Sequence, residues 1–172
     1  MAFLYGDHEH TIDAKRRLPI TSALRELIDP EEDGGDFILF LGPDRHLWLY
    51  PDKYYTRLAA TMKRSPLPSR DHRKIALYFA MARRLKCDGQ GRVVLPEKSM
   101  QRAVISNRVT LVGVGDHIEV WPTEEWNTRV ENELPNLGEE LYEAEQKLAR
   151  QGGQSEYATG PSQAVPGTSG PR

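Results

Sequence analysis

The chain writes DGQGRVVLP at residues 88–96 and DAKRRLPIT at residues 13–21. Both segments place an aspartate four positions before an arginine and then run into an apolar stretch. Asp13 and Arg17 align with Asp88 and Arg92 at an offset of 75. A short acidic side chain accepts backbone N–H groups across a tight turn. Gly89 and Gly91 permit the positive φ that such a turn uses. Arginine offers a planar set of donors matched to phosphate oxygens or to guanine O6 and N7. A lone copy reads more readily as an Asp–Arg pair bracing a loop. The first copy adds Lys15, Arg16 and Arg17 in succession, with Arg16 at the position Gly91 holds in the second, where a non-glycine residue costs on the order of 1 kcal/mol. Three adjacent cations suit phosphate neutralisation with counterion release; the competing account is a solvated basic turn.

The repetition extends beyond the turns. Gly42, His46, Leu47, Tyr50 and Pro51 align with Gly113, His117, Ile118, Trp121 and Pro122 at an offset of 71, the difference falling in the polar connection PEEDGGD of the first copy. Two matches in the same order, with one indel in a loop, indicate duplication. Each copy predicts a strand into the turn (about 3–12 and 83–87), a strand out of it (17–20 and 92–95), and a short helix (22–28 and 97–104). The hairpins FILFLGPDRHLWLY and RVTLVGVGDHIEVW follow, with GVG (113–115) as a turn, and then helices after Pro51 and Pro122. A further helix is expected over 69–84 with Ser69 as its cap. The last is expected over about 137–150, with Leu137, Leu141 and Leu148 on one side. The expected division is a first repeat at 1–62, a connecting helix at 63–82, a second repeat at 83–135, a C-terminal helix at 136–151 and a disordered Gly/Ser/Pro-rich tail at 152–172. One copy has too few large residues for its own core, so two copies sharing strands are expected to fold together.

Of the 172 residues, 23 are Lys or Arg and 25 are Asp or Glu, for a formal net charge of −2. The charge is unevenly spread: residues 1–110 carry 19 basic against 14 acidic groups, and residues 111–172 carry 4 against 11. Such asymmetry suits one surface that meets an anion and another that does not, although charge alone favours the plainer reading of an unevenly charged solvated surface. No apolar run reaches membrane-spanning length and the first residues lack a secretory pattern, so a cytoplasmic protein is expected. The single cysteine, Cys87, excludes an intrachain disulfide. His8 and His10 lack a third ligand at convincing spacing, so no metal is expected. GVG lacks the following helix of a dinucleotide site, and no Ser/His/Asp set or carboxylate pair is present, so neither cofactor, small-molecule substrate nor catalysis is expected. Trp48, Trp121 and Trp126 are expected in the core or in subunit contacts.

The segments EHTIDAKRRL, WLYP, LYFAMARRLKCD, DGQGRVVLP and LVGVGDHIEVWPTEEW, in this order, resemble the MraZ family of tandem AbrB/SpoVT-like proteins across nearly all of 3–135. The resemblance implies an α+β fold with a mainly β core: a duplicated swapped-hairpin AbrB-like β-barrel with flanking helices. It implies assembly into a homo-oligomeric ring and a nucleoid-associated transcriptional regulator. Such a regulator binds double-stranded DNA at tandem promoter repeats of the division and cell wall gene cluster. The DNA-contacting residues it implies are Arg17 and Arg92, with Lys15, Arg16 and Gln90 beside them and Asp13, Asp88, Gly89 and Gly91 shaping the loops. The alternative is a protein-interaction or antitoxin-like module of the same fold. The chain departs from the family pattern at Arg16 (usually Gly), at Thr21 (usually Pro, with Pro19 inside the strand instead) and at Met81 (often Gly).

Overall fold

The computed structural model describes residues 1–61 and 70–152. They fall into two compact units, Met1–Thr128 and the chain from Arg129 onward. In the first unit, strands β1 (Leu4–Thr11) and β2 (Arg17–Pro19) flank the first Asp-to-Arg turn. The short helix α1 (Ser22–Arg25), the hairpin β3 (Phe37–Leu41) and β4 (Leu47–Pro51), and helix α2 (Asp52–Thr61) follow. Helix α3 (Arg70–Met81) leads into the second series: β5 (Arg83–Leu85), β6 (Arg92–Val94), α4 (Glu97–Ala103), β7 (Arg108–Gly115), β8 (Ile118–Pro122) and α5 (Thr123–Glu133). The second unit takes in the end of α5, a 3-10 turn at Leu134–Asn136 and helix α6 (Leu137–Gly152). On α6 the expected leucine side, Leu137, Leu141 and Leu148, is exposed. The Ser69 cap and the tail expected to be disordered lie outside the described residues.

The strands form two antiparallel sheets. One has six strands in the order β1-β7-β8-β4-β3-β5, and the other is the ribbon β2-β6. The two copies exchange strands. β1 pairs with the hairpin of the second copy and β5 with that of the first, while β4 and β8 meet at the centre through Trp48 opposite Glu119. Period-2 alternation turns one face of the sheet inward. Leu4, Leu39, Leu49, Leu111 and Ile118 join Leu18 and Val93 of the ribbon and Leu24 of α1 in one apolar cluster. A second cluster lies around Phe40, Tyr50 and Tyr55, where Tyr78 of α3 stacks on Phe40 with ring centroids 4.4 Å apart.

The registers correct two readings of the sequence. GVG (113–115) is not the whole turn but the end of β7, because Leu4–Gly6 of β1 pair with it; Gly113 pairs with Ile118 and the Val114 N–H donates to the His117 carbonyl, so the reversal falls at Gly115–Asp116, where Gly115 has φ 94°. The second hairpin's turn is therefore one residue shorter. Leu41 pairs with Leu47 where Gly113 pairs with Ile118, so Gly113 corresponds to Leu41 and not to Gly42. Gly113 is glycine for a packing reason: a Cβ there would meet the backbone N of Tyr5 at 2.5 Å and the carbonyl carbon of Leu4 at 2.7 Å. Leu41 tolerates a side chain because β5 ends its pairing at Leu39.

Candidate nucleic-acid interface

Each turn is built on its aspartate by the same set of bonds. The Asp13 N–H donates to the Arg17 carbonyl at 3.1 Å and the Arg16 N–H to the Asp13 carbonyl at 2.9 Å. The Asp13 carboxylate accepts the N–H groups of Lys15 and Arg17, each at 2.9 Å, and the Arg17 Nε. In the second turn the Asp88 N–H reaches the Arg92 carbonyl at 2.9 Å and the Gly91 N–H reaches the Asp88 carbonyl at 2.9 Å. The Asp88 carboxylate accepts Gln90 N–H at 2.9 Å, Arg92 N–H at 3.0 Å and Arg92 Nε at 2.9 Å. The backbone N–H of Arg17 lowers the Asp13 pKa and that of Arg92 lowers the Asp88 pKa, so both stay ionised below the usual aspartate range. Arg16 takes the left-handed position at φ 59° where Gly91 has φ 74°. The extra side chain leaves the turn geometry unchanged.

The ribbon β2-β6 fixes the direction of the motif arginines. Its pairs are Arg17 with Val94, Leu18 with Val93 and Pro19 with Arg92. Leu18 and Val93 are fully buried. Successive side chains of a strand point to opposite faces, so Arg17, Pro19, Arg92 and Val94 share the outer face. Arg17 and Arg92 are diagonal neighbours there, about 7–8 Å apart. Their side chains are 35% and 28% exposed, and each is paired with its own aspartate. The loop-bracing role that a single copy suggested is therefore present in both, on arginines that also face outward. Lys15, Gly89 and Gln90 lie on the exposed tips of the turns.

The two turns are stabilised from different sources. Arg16 Nε donates to the Leu95 carbonyl at 3.1 Å. At the matching place in the second turn, Arg25 Nε of α1 donates to the Ile20 carbonyl at 3.0 Å. A Cβ on Gly91 would stand 2.5 Å from Arg25 Cζ. By the offset of 75, Gly91 corresponds to Arg16 and Met100 to Arg25, and Met100 and Arg16 line one cavity. Each turn thus has one guanidinium on the end of the neighbouring strand, supplied by the loop in one and by the helix in the other. Sequence reading missed Arg25, although carrying the offset through α1 and α4 would have exposed the exchange.

Of the other candidates, Cys87 adjoins the second turn and lines a cavity with Arg25, Asp88 and Gly91, while the rest stand apart from the ribbon. His46 and His117 do occupy matched hairpin positions, with His46 Nε2 3.0 Å from Glu125 Oε1 and His117 Nδ1 2.7 Å from Asp116 Oδ1. The Cys87 N–H donates to Asp36 Oδ1 at 3.1 Å, and burial raises the thiol pKa. Trp121 is buried, and the Trp126 indole N–H donates to Asp7 Oδ2 at 2.9 Å. Among the described residues no cluster of three or more His, Cys, Asp or Glu could hold a metal. No helix among them is long and apolar enough to cross a membrane.

A family model described as "MraZ protein, putative antitoxin-like" matches twice, over residues 3–77 and 78–141. The chain belongs to the MraZ family. The double match falls on the two series of elements that exchange strands in the fold. Among similar MraZ proteins, one from Carboxydothermus hydrogenoformans is 37% identical over 123 residues, covering 71% of this chain and 82% of that one. One from Herpetosiphon aurantiacus is 35% identical over 140 residues, covering 79% and 94%. One from Clostridium tetani is 34% identical over 122 residues, covering 70% and 82%. All three are described as transcriptional regulators.

Proposed function

We propose that this chain is a sequence-specific DNA-binding transcriptional regulator, acting on tandem promoter repeats of the division and cell wall gene cluster. The observation that carries this reading is the shared outer face of β2-β6, which holds Arg17 and Arg92 as diagonal neighbours. A two-stranded ribbon fits the DNA major groove, where guanidinium groups bind guanine O6 and N7. Lys15 and Arg16 on the first turn contact phosphates, and Gln90 on the second offers a side-chain amide to a base edge. Asp13, Asp88 and Gly91 hold the loops in shape; Gly89, expected to share that role, has no positive φ and a Cβ on it would meet nothing within 4 Å. In this reading the exchanged strands are the seam of a closed swapped-hairpin barrel, made of repeats at 1–62 and 83–135. The 63–82 segment, which carries α3, connects them, and the 136–151 segment, which carries α6, follows. Several copies form a ring that offers repeated weak sites to repeated DNA elements, so affinity rises by multivalency. The protein works at the nucleoid and needs no cofactor.

A second reading, an antitoxin-like protein-interaction module, draws on the exposed leucines of α6 among Glu139, Glu140, Glu143 and Glu145. Binding of the purified protein to promoter and scrambled duplexes across a salt series separates the two. The first reading expects preference for the promoter. It also expects the Arg17→Ala/Arg92→Ala variant to bind more weakly, with a log–log salt slope shallower by about 0.9 for each phosphate it no longer neutralises. Unchanged binding by a folded double variant at physiological salt overturns it.

A further inference from the structure

The outer face of the β2-β6 ribbon carries one residue that its cations do not account for. Val94 is 50% exposed, an apolar side chain in the row that faces Arg17. Its counterpart across the exchange of copies is Pro19, which faces Arg92 and is partly buried. Nothing in the core needs Val94 on this side, because Val93 fills the inward position. Directly opposed residues in a ribbon have Cβ atoms about 4.5–5.5 Å apart. Successive bases along one strand are about 3.4 Å apart, so such a pair spans one to two base steps. In the major groove the apolar feature available beside a guanine is the C5 methyl group of a neighbouring thymine.

We infer that Val94 is a specificity-determining residue that reads a thymine methyl group within one or two base pairs of the base contacted by Arg17. The inference rests on the proposed DNA-binding function and deepens it. Arg17 and Val94 form one reading pair, a hydrogen-bonding guanidinium beside an apolar probe. The other pair offers Arg92 beside Pro19, whose ring is held in the ribbon and presents less surface. The two ends of the ribbon therefore select different bases, and the preferred element is not symmetric about the ribbon's centre.

The test is a chemical double-mutant cycle on the full chain. Promoter duplexes are made with each thymine replaced in turn by uracil, which lacks only the methyl group. Wild-type protein and Val94→Ala are titrated against each. At one thymine per element, uracil is expected to weaken wild-type binding about four-fold, the worth of burying one methyl-sized group. Val94→Ala is expected to bind the thymine duplex with a similar weakening and to show no further change with uracil there. Equal uracil sensitivity in both proteins at every position, with promoter binding intact, overturns the inference and leaves the DNA-binding function standing. A change in the mass of the assembly on Val94→Ala with thymine discrimination retained also overturns it, assigning the face to contact between copies. Absence of promoter binding by the wild type removes both.

Discussion

The two turns differ in where their guanidinium comes from, and that difference makes a quantitative test of how they are held. Gly91→Ala places a Cβ 2.5 Å from Arg25 Cζ and Nε, so the Arg25 side chain must leave. Its hydrogen bond to the Ile20 carbonyl goes with it. That bond is worth about 1.5 kcal/mol, the low end for a charged donor, because Arg25 is open to water. The alanine also occupies the left-handed region at φ 74°, a separate cost of about 1.5 kcal/mol. Gly91→Ala alone is then expected to destabilise by about 3 kcal/mol, and Arg25→Met alone by about 1.5 kcal/mol. In the double variant the hydrogen bond is removed only once, so the total is about 3 kcal/mol, not about 4.5, a coupling near 1.5 kcal/mol. Urea unfolding of the four proteins at one fixed protein concentration measures this. The coupling corresponds to roughly 0.5–1.5 M in midpoint at ordinary m-values. Exchanging the loop and helix residues, Gly91→Arg with Arg25→Met, is expected to recover part of the stability, since it recreates the arrangement of Arg16 and Met100. Additivity of the single variants within about 0.5 kcal/mol refutes the reasoning.

Gly113→Ala pushes a Cβ into the β1 backbone at Tyr5, which cannot yield as a flexible side chain would. A destabilisation of about 2–3 kcal/mol is expected, as for overpacking in a core, with faster amide exchange at Leu4–Gly6; unchanged exchange there refutes it. His117 and Glu119 give a pH dependence. Burial lowers the His117 pKa, but the Glu119 and Asp116 carboxylates outweigh it and raise the value above the ordinary 6.5. Burial raises that of Glu119, but the bonds from His117 and Trp121 bring it below the ordinary 4.5. The histidine contribution is complete below 6.5 and lost as pH rises through the raised value, whereas the glutamate contribution is complete above 4.5 and lost as pH falls through the lowered one. Both are in full force between those limits. His117→Gln is expected to flatten the alkaline side of the stability profile in a urea series from pH 5.5 to 8.5, and an unchanged alkaline slope counts against the pairing.

Element order, strand identities and turn chemistry were legible because they rest on local signals: aspartate and glycine at fixed spacing, alternating apolar residues and proline punctuation. Even the left-handed Arg16 follows from aligning DAKRR with DGQGR. What escaped was set by partners distant in sequence. GVG reads as a turn until β1, more than a hundred residues away, pairs with it and extends β7. The brevity of β5 has the same kind of cause. The counterparts of the first residues of β1, such as Phe79 for Leu4, belong to α3 and face the Phe40 cluster, so only Arg83–Leu85 remain free to pair. Arg25 was invisible as a loop-holding residue because nothing in α1 alone shows that its guanidinium lies over Gly91, across the ribbon.

The exchange also explains what fusing two copies makes available. Two identical chains around a dyad would place the same residue at each matched position, so a left-handed arginine in one turn would recur in the other. In a single chain, strand pairing keeps its near-twofold register: Arg17 opposite Val94 is mirrored by Arg92 opposite Pro19, and Leu47 opposite Val120 by Leu49 opposite Ile118. The side chains are nevertheless free to diverge. One turn is K-R-R, with its own arginine on the Leu95 carbonyl. The other has Gly-Gln-Gly at its tip and takes Arg25 from α1, the helix that follows the first turn. The scaffold that aligns the motif arginines thus needs symmetry only in its backbone, and the chemistry on its surface can be directional.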